Sequence, residues 1–598
     1  MTCNAGFADC NANRGDGCEV EVANDINHCG RCANRCSYPN GVAACVSGGC
    51  RLVSCLAGYV NADGFSENGC ELQVAHVGNG GISPFSGGTL RGLGEDPATG
   101  AISPSGMVST TTSDFLWVVN VAESTVSKWD ATARREIARY RVGLPAGECN
   151  GRCCWENGCN MPSRVVIDGN GDAYVANRAF GMQGTVTKIA GDRADCVDRN
   201  GNGMIETSTG AGNVLPYGAS ASSDECVLWN ANVGASNAVL RSITIDRGDA
   251  SAPNGYVWVS GYEARKLWRL NPRTGAVLNE LNVTISPYGS VVTRDGTLWL
   301  TTIGSQLQPV NTTALTVGAV VNTPFSIYGP TADANGRLWF VSGGNYVQGY
   351  DPATGMTTRV TLRSGTSSGV TSDALGNIIT ALNEGGNRTS IVRFPASSFV
   401  AGASTASPGT IPSTALTYID GPTAAQNNQA TAVGVDRSGA TWVASYSGAS
   451  RLVRFDPTNA DPAQRLLEFT GPNRTYSYSD FTGSVRRASI PQGSYEQSFD
   501  TTCAAPRLGA LTVTGTFPAG TTTIISMRTA ASAADLAAAT PVAIGTLPPS
   551  ASPYDLPAIF TAAGITPSQH MRMTMVLRAS DGGAIPIVES FRFSWTCP

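Results

Sequence analysis

Arg337-Leu-Trp339-Phe-Val341 recurs, with small changes, along the chain. The same apolar run around one central residue occurs as Phe115-Leu-Trp117-Val-Val119, Asp172-Ala-Tyr174-Val-Ala176, Tyr256-Val-Trp258-Val-Ser260, Thr297-Leu-Trp299-Leu-Thr301, Asn377-Ile-Ile379-Thr-Ala381 and Ala440-Thr-Trp442-Val-Ala444, seven copies in all. Trp258 to Trp299 is 41 residues, and Trp299 to Trp339 and Trp339 to Ile379 are 40 each. A period of about 40 residues built from short strands predicts one four-stranded blade per repeat. Seven copies predict a seven-bladed β-propeller.

The flanks of each copy agree with this. Upstream lie an apolar strand and a tight turn, as in Val165-Val-Ile-Asp168-Gly-Asn-Gly171, Ile243-Thr-Ile-Asp246 and Val433-Gly-Val-Asp436-Arg-Ser-Gly439. Downstream a further strand ends in Asn271-Pro272, Asp351-Pro352 or Asp456-Pro457. Asp, Asn and Gly suit such hairpins because they accept positive φ or cap the turn locally. The aligned tryptophans read as packing between neighbouring blades, since repeated mid-strand aromatics belong to cores more often than to ligand-stacking ladders.

Irregular intervals mark insertions at 143–162, with Cys149, Cys153, Cys154 and Cys159, and at 191–236, with Cys196 and Cys226 as a candidate disulfide. Long insertions holding their own cysteines predict ordered decorations that form a recognition face. The period covers residues 105–475. From 480 to 598 alternating runs such as Leu508–Phe517, Arg572–Leu577 and Ile587–Trp595 predict a β-sandwich, pinned by a Cys503–Cys597 bond. Residues 76–104, rich in Gly, Pro and Ser, read as a linker. Residues 1–75 hold ten of the 18 cysteines, with Cys3-Asn-Ala-Gly-Phe7 echoed by Cys55-Leu-Ala-Gly-Tyr59. Cys29-x2-Cys32 has zinc spacing, but zinc would leave most of the other thiols unexplained, and disulfides account for all ten. Their pairing stays open. The chain as a whole reads as all-β.

A net charge of −5, from 40 basic and 45 acidic residues with no clustered basic stripe, sets nucleic acid aside. No apolar run reaches 18 residues, so no membrane span is expected. Cysteine usage points to an oxidising compartment, hence a secreted or outer-surface location. Such a protein starts with a leader, and Met1-Thr2-Cys3 is not one, so the expectation is a chain that begins after a removed leader or is a fragment.

The sharpest candidate metal site is Asp198-Arg-Asn200-Gly-Asn202-Gly203-Met204-Ile-Glu206. Oxygen donors from Asp198, Asn200 and Asn202, the Met204 carbonyl and Glu206 have the spacing of a calcium loop. Thr209 stands where an EF-hand has its bidentate glutamate, so a loop-type structural Ca²⁺ site is expected, with a metal-free polar turn as its alternative. Candidate binding residues at the propeller mouth, where the inner strands begin, are Asn237, Arg241, Tyr288, Tyr328 and Asn428, with Thr431 beside them.

The blade wording Tyr328-Gly-Pro-Thr-Ala-Asp333-Ala-Asn-Gly-Arg-Leu-Trp339-Phe-Val resembles virginiamycin B (streptogramin B) lyase and the wider NHL-like propellers. The Cys-rich segment resembles short repeats at the ends of large secreted bacterial proteins. The lyase resemblance implies a catalytic histidine near a metal ion. The chain has only His28, His76 and His570, none within 105–475, so no catalytic residue carries over. The leading expectation is a structural or binding protein that uses the propeller as a recognition or assembly platform, for a protein or glycan ligand or for self-assembly into an oligomer or filament. The alternative is an enzyme, a lyase- or lactonase-like propeller in which carboxylates and a divalent cation act, with streptogramin-type carbon–oxygen lysis as its chemistry.

Overall fold

The computed structural model describes the chain apart from residues 1–2, 14, 57–58, 62–65, 67–68, 71, 75–84, 97–98, 105–114, 145–160, 219–222, 342, 386–387, 423–428, 447–450, 472–473, 478, 490–491, 549–551, 581–583 and 598. The insertion at 143–162 therefore falls largely outside the described residues, as does Asn428.

Residues 3–70 are held by Cys3–Cys18, Cys10–Cys32, Cys29–Cys45, Cys36–Cys50 and Cys55–Cys70. The echoed sequence now has a physical meaning: its two copies each close a bond across 15 residues. Only one hairpin, Gly41–Val46 with Gly49–Cys55, is regular among these residues, and buried cysteine sulfur replaces an apolar core. A segment this short has too little apolar surface to stay folded without such links.

Seven sheets follow one another from Phe115 to Thr470 among the described residues, antiparallel except where Gly409–Thr410 pairs parallel with Met356–Thr361. Most have four strands in chain order, for example Leu240–Ile245, Val257–Gly261, Lys266–Leu270 and Val277–Asn282. The first strands of successive sheets lie side by side, a propeller-like arrangement. Among the described residues the first sheet has three strands of its own, Phe115–Asn120, Thr125–Asp130 and Arg135–Arg141. Its inner edge is covered by residues 474–481: Trp117 N donates to Phe481 O (2.9 Å), Tyr476 N to Val119 O (3.0 Å) and Val121 N to Arg474 O (3.2 Å). On its other flanks this returning segment accepts Val165 N at Ser479 Oγ (2.9 Å) and Thr431 Oγ1 at Thr475 O (3.2 Å). The order of sheets thus closes on itself through a segment that crosses residue 475, the end of the sequence period.

The repeated aromatics are core. Trp117, Trp258, Trp339, Trp442 and Tyr174 are 0% exposed and pack on rings of the same or a neighbouring sheet, such as Trp442 on Phe469 at 5.5 Å. Their polar ends are also used. The indole N–H of Trp258 donates to Asp246 Oδ2 (2.8 Å), Trp339 to Asp333 Oδ2 (2.9 Å) and Trp442 to Asp436 Oδ2 (2.8 Å). The other oxygen of each aspartate caps the hairpin, accepting for instance Arg337 N (3.1 Å) or Ala440 N (2.9 Å).

The C-terminal residues form two facing sheets. One has the order Val542–Leu547, Thr522–Ala530, His570–Arg578, Gln492–Asp500, Thr89–Arg91; the other centres on Ile587–Thr596 paired with Arg507–Thr516. Phe85, Tyr495, Met527, Met573, Phe591 and Phe593 fill the space between, and Cys503–Cys597 joins the ends. The stretch read as a linker is not a plain spacer. Thr89–Arg91 pairs with Ser494–Glu496 and Ile102 with Val588; just before the stretch, at the end of the Cys-rich module, Leu72–Val74 pairs with the last strand. Its glycines, which suggested a linker, permit close approach: a Cβ on Gly88 would lie 2.4 Å from the Tyr495 ring.

The sandwich sits against the hairpin end of the inner strands. Arg294 donates to Ser580 O (2.7 Å), Ser494 Oγ to Asn170 Oδ1 (3.3 Å), and the buried Arg91 bridges Glu496 (3.0 Å) and Asp195 (3.2 Å). Asp195 belongs to the 191–236 insertion and also pairs with Arg572 at 3.0 Å. This part of the insertion is therefore a joint between the two bodies, not a free recognition face. The sequence expectation erred because it had no means of locating the sandwich.

Replacing Trp442 by Phe keeps most of the ring but leaves an Asp436 oxygen without its buried donor. It should lower stability by about 1–3 kcal/mol, read as a shifted midpoint in urea unfolding. The same change at Trp117, whose Nε1 has no hydrogen-bond partner among the described residues, should cost clearly less.

Candidate binding site

The inner strands surround a narrow cavity of about 60 Å³ lined by Ser242, Gly289, Pro330, Gly369 and Thr431. One end is stoppered by the short helix Ser484–Ser489. Ser484 Oγ lies 2.9 Å from Thr371 Oγ1, and the buried Arg486 donates to Asp246 O (3.0 Å) and Asn254 O (2.9 Å). The opposite end opens into a cavity of about 670 Å³ lined by Met161, Arg178, Phe180, Arg241, Tyr262, Tyr288, Ile303 and Tyr476, with the exposed Glu263 at its rim.

Local backbone chemistry sets these side chains. The inner strands Pro162–Ile167, Leu240–Ile245 and Tyr328–Ala332 each change register at Ser163, Arg241 and Gly329. Such a bulge turns a side chain out of the alternating pattern. Arg241, the residue at its bulge, consequently reaches the mouth from a strand whose other residues are buried, while Arg164, next to the bulge at Ser163, lines the narrow cavity. The Arg241 guanidinium lies 4.0 Å from the centre of the Tyr288 ring, Arg164 lies 5.1 Å from the same ring, and Arg178 lies 4.6 Å from the Tyr476 ring. The Tyr288 hydroxyl is 3.1 Å from that of Tyr328 and 3.3 Å from that of Tyr476. The structure thus brings together Arg241, Tyr288 and Tyr328 of the sequence-predicted set. Asn237 does not line the cavity; it is exposed and its Oδ1 accepts the Gly181 amide (2.8 Å), fixing the turn after Phe180. Thr431 is buried in hydrogen bonds to Ala444 O and Thr475 O.

Arg164, Arg178, Tyr262 and Tyr476 were not identified from sequence. Arg164 had a signal, a lone charge opening an otherwise apolar strand. Tyr476 had none, since it lies on the returning segment beyond the repeats.

Charge in the mouth is concentrated. Burial lowers the Arg178 guanidinium, the neighbouring Arg241 and Arg164 lower it further, and it falls to about 10. Burial alone would push the Tyr476 phenol up, but Arg241, Arg164 and Arg178 together outweigh it and bring it down to about 7.

The loop Asp198–Glu206 is an exposed turn. Asp198 accepts the amides of Gly201 (2.7 Å) and Gly203 (2.8 Å), Asn202 Oδ1 accepts Met204 N (2.8 Å), and the side-chain amides of Asn200 and Asn202 donate to Glu206 at 3.0 and 2.7 Å. The fully buried Glu225, beside Cys226, accepts Arg199 N (2.8 Å) and Glu206 N (2.9 Å) from across the Cys196–Cys226 bond. Among the described residues the one tight group of metal-ligating atom types is Cys29, Cys36 and Cys50 in the N-terminal module. Their sulfurs are close enough to share an ion, yet all three are in disulfides, and metal ligation requires thiolates. A carboxylate cluster of the kind a lactonase-like mechanism needs is missing from both central cavities among the described residues: each is lined by one acid, Asp480 or Glu263.

No family model matches the chain, and no curated protein matches it. Solved structures that resemble it include a catalytically inactive virginiamycin B lyase from Staphylococcus aureus with quinupristin, 16% identical over 52% of this chain and 84% of that one, with a TM-score of 0.35. A functionally unknown protein from Desulfotomaculum acetoxidans is 8% identical over 61% of this chain and 98% of its own, at 0.39. The WD40 domain of Toxoplasma gondii coronin is 9% identical over 52% and 78%, at 0.34. The likeness to propeller-type folds is distant.

Tyr476 should form phenolate near pH 7 in the folded protein, seen by near-ultraviolet absorbance and absent from Tyr476→Phe. Its folded value lies below the ordinary 10. The group therefore adds stability that is complete above the unfolded value and is lost as pH falls through about 7.

Proposed function

We propose that this chain is a secreted or cell-surface binding protein built on a seven-bladed β-propeller, with the open mouth as its recognition site. The observation that carries this reading is the mouth itself: a cavity of about 670 Å³ lined by buried arginines and tyrosines, at the end not stoppered by the helix and sandwich. Its size and its mixture of apolar rings with a few convergent polar groups suit a small ligand or the end of a larger one. The disulfides support the extracellular assignment. No helix among the described residues is long and apolar enough to cross a membrane. The propeller serves as a rigid frame, the sandwich braces it from behind, and the disulfide-linked module stands at the far end of the chain. The ligand in this reading is a glycan or protein group displayed on a surface.

Ca²⁺ at Asp198, Asn200, Asn202, the Met204 carbonyl and Glu206 belongs to the same proposal, as a structural ion. Support comes from the oxygen-donor spacing and from Glu225, an acid from a distant part of the chain packed against the loop ends. The ion would stiffen the insertion that joins propeller to sandwich.

Ile303, 46% exposed on the rim, gives a direct test. Ile303→Trp partly fills the mouth and should abolish binding of whatever the wild-type chain retains on glycan and peptide arrays, with an unchanged thermal midpoint. Equal retention by both proteins refutes the mouth as the site. Separately, saturating Ca²⁺ should raise the thermal midpoint by roughly 3 °C or more, and Asp198→Ala should remove that rise.

A further inference from the structure

Most buried arginines elsewhere in this protein meet carboxylates or several carbonyl oxygens. Arg91 meets Glu496 and Asp195, Arg139 meets Glu123 and Glu136, Arg454 meets Asp456, and Arg486 and Arg578, which have no carboxylate partner among the described residues, each donate to two carbonyls. The mouth breaks this pattern. Arg241 is 5% exposed, and among the described residues its guanidinium makes no hydrogen bond and no ion pair with a carboxylate; its Nε is buried without a partner, and it lies over the Tyr288 ring and near the Tyr476 phenol. Arg178, equally buried, donates only to Met161 O and has no carboxylate partner among the described residues. A third buried guanidinium, Arg164, lies with them at the Tyr288 ring. Desolvating like charges together is costly; while the Tyr476 phenol keeps its proton no anion among the described residues offsets them, and an opposite charge on a ligand recovers the cost.

What surrounds these cations narrows the ligand. Beside Tyr288 and Tyr262 the rim carries Phe180 and Ile303, 43% and 46% exposed, so flat apolar surface adjoins the guanidiniums. A small inorganic anion would use the cations and leave this surface bare. A planar carboxylate matches the guanidinium fork in two parallel hydrogen bonds, and a ring bearing that carboxylate covers the aromatic side. A cavity of about 670 Å³ has room for one or two such rings.

The geometry points to the mouth as a site for an acidic saccharide, its carboxylate held by Arg178 and Arg241 and its sugar face laid on Tyr288 and the Phe180 rim. This deepens the reading of the mouth as the recognition site and rests on it. The phenol of Tyr476 gives the site a pH dependence. It faces Arg164, Arg178 and Arg241, the hydroxyl of Tyr288 and the ring of Tyr446, with Glu263 at the rim. Its phenolate opposes a bound anion, so binding weakens as pH rises through about 7.

Titration calorimetry on the full chain tests this with four probes: tetragalacturonate, the neutral galactotetraose, inorganic sulfate and inorganic phosphate. The expected result is binding of tetragalacturonate alone, weakened at least tenfold by Arg241→Gln and by Arg178→Gln, and about fivefold by Phe180→Ala. Arg241→Lys, which keeps the charge and the fold but loses the fork, should fall between wild type and Arg241→Gln. Equal affinity for galactotetraose overturns the role of the carboxylate, and equal affinity for sulfate or phosphate overturns the role of the sugar. Should no probe bind while the Ile303→Trp variant still loses an array ligand, the acidic saccharide is wrong and the mouth stands. Should that variant lose nothing, the recognition reading itself fails.

Discussion

A carboxylate at the end of five inner strands does two jobs. In the hairpins of Asp246, Asp333 and Asp436, one oxygen caps the turn and the other receives the indole N–H of the tryptophan on the next strand. The turn and the buried aromatic are thereby fixed to each other, and with them the register of the first two strands. Tyr174 makes the equivalent bond to Asp168 through its hydroxyl (3.0 Å). Where Ile379 stands in place of the aromatic, Asp373 takes Asn377 and Arg393 instead. The constraint persists while its donor changes, because a buried carboxylate oxygen without a donor is costly.

Thr293 replaces the acid before Trp299, and Trp117 is a second exception that explains the closure. Among the described residues its strand has no hairpin of its own on the inner side, where the edge is supplied by the returning segment from Arg474 to Phe481. Hydrogen bonds across this joint tie the first sheet to the seventh and the second. The chain then turns directly into the helix that stoppers the channel and on into the sandwich. Closure, stopper and docking are consecutive steps along one stretch of backbone, which is why one end of the channel is blocked and the other open.

At the open end the usual economy of the molecule is reversed. Docking of the sandwich uses paired charges, Arg91 and Arg572 around Asp195. The mouth instead holds Arg241 and Arg178 without a carboxylate partner among the described residues and sets them against tyrosine rings, whose negative faces offset only part of the charge while the Tyr476 phenol keeps its proton. That residual charge, together with the exposed rim of Phe180 and Ile303, distinguishes this cavity from the narrow channel below it.

The sequence by itself determined the all-β class, the repeat, the sandwich strands and the disulfide-rich start, because each rests on local periodicity or on cysteine density. It also placed Arg241, Tyr288 and Tyr328 in one region, since they begin successive repeats. It left the cysteine pairing open and misread 76–104, where three-residue strands between glycines carry no periodic signal. Only the tertiary structure could bring in Tyr476 and Arg178, decide that Asp195 is a joint, and show which arginines lack acids. Those facts depend on contacts between residues far apart in the chain, and no local pattern encodes them.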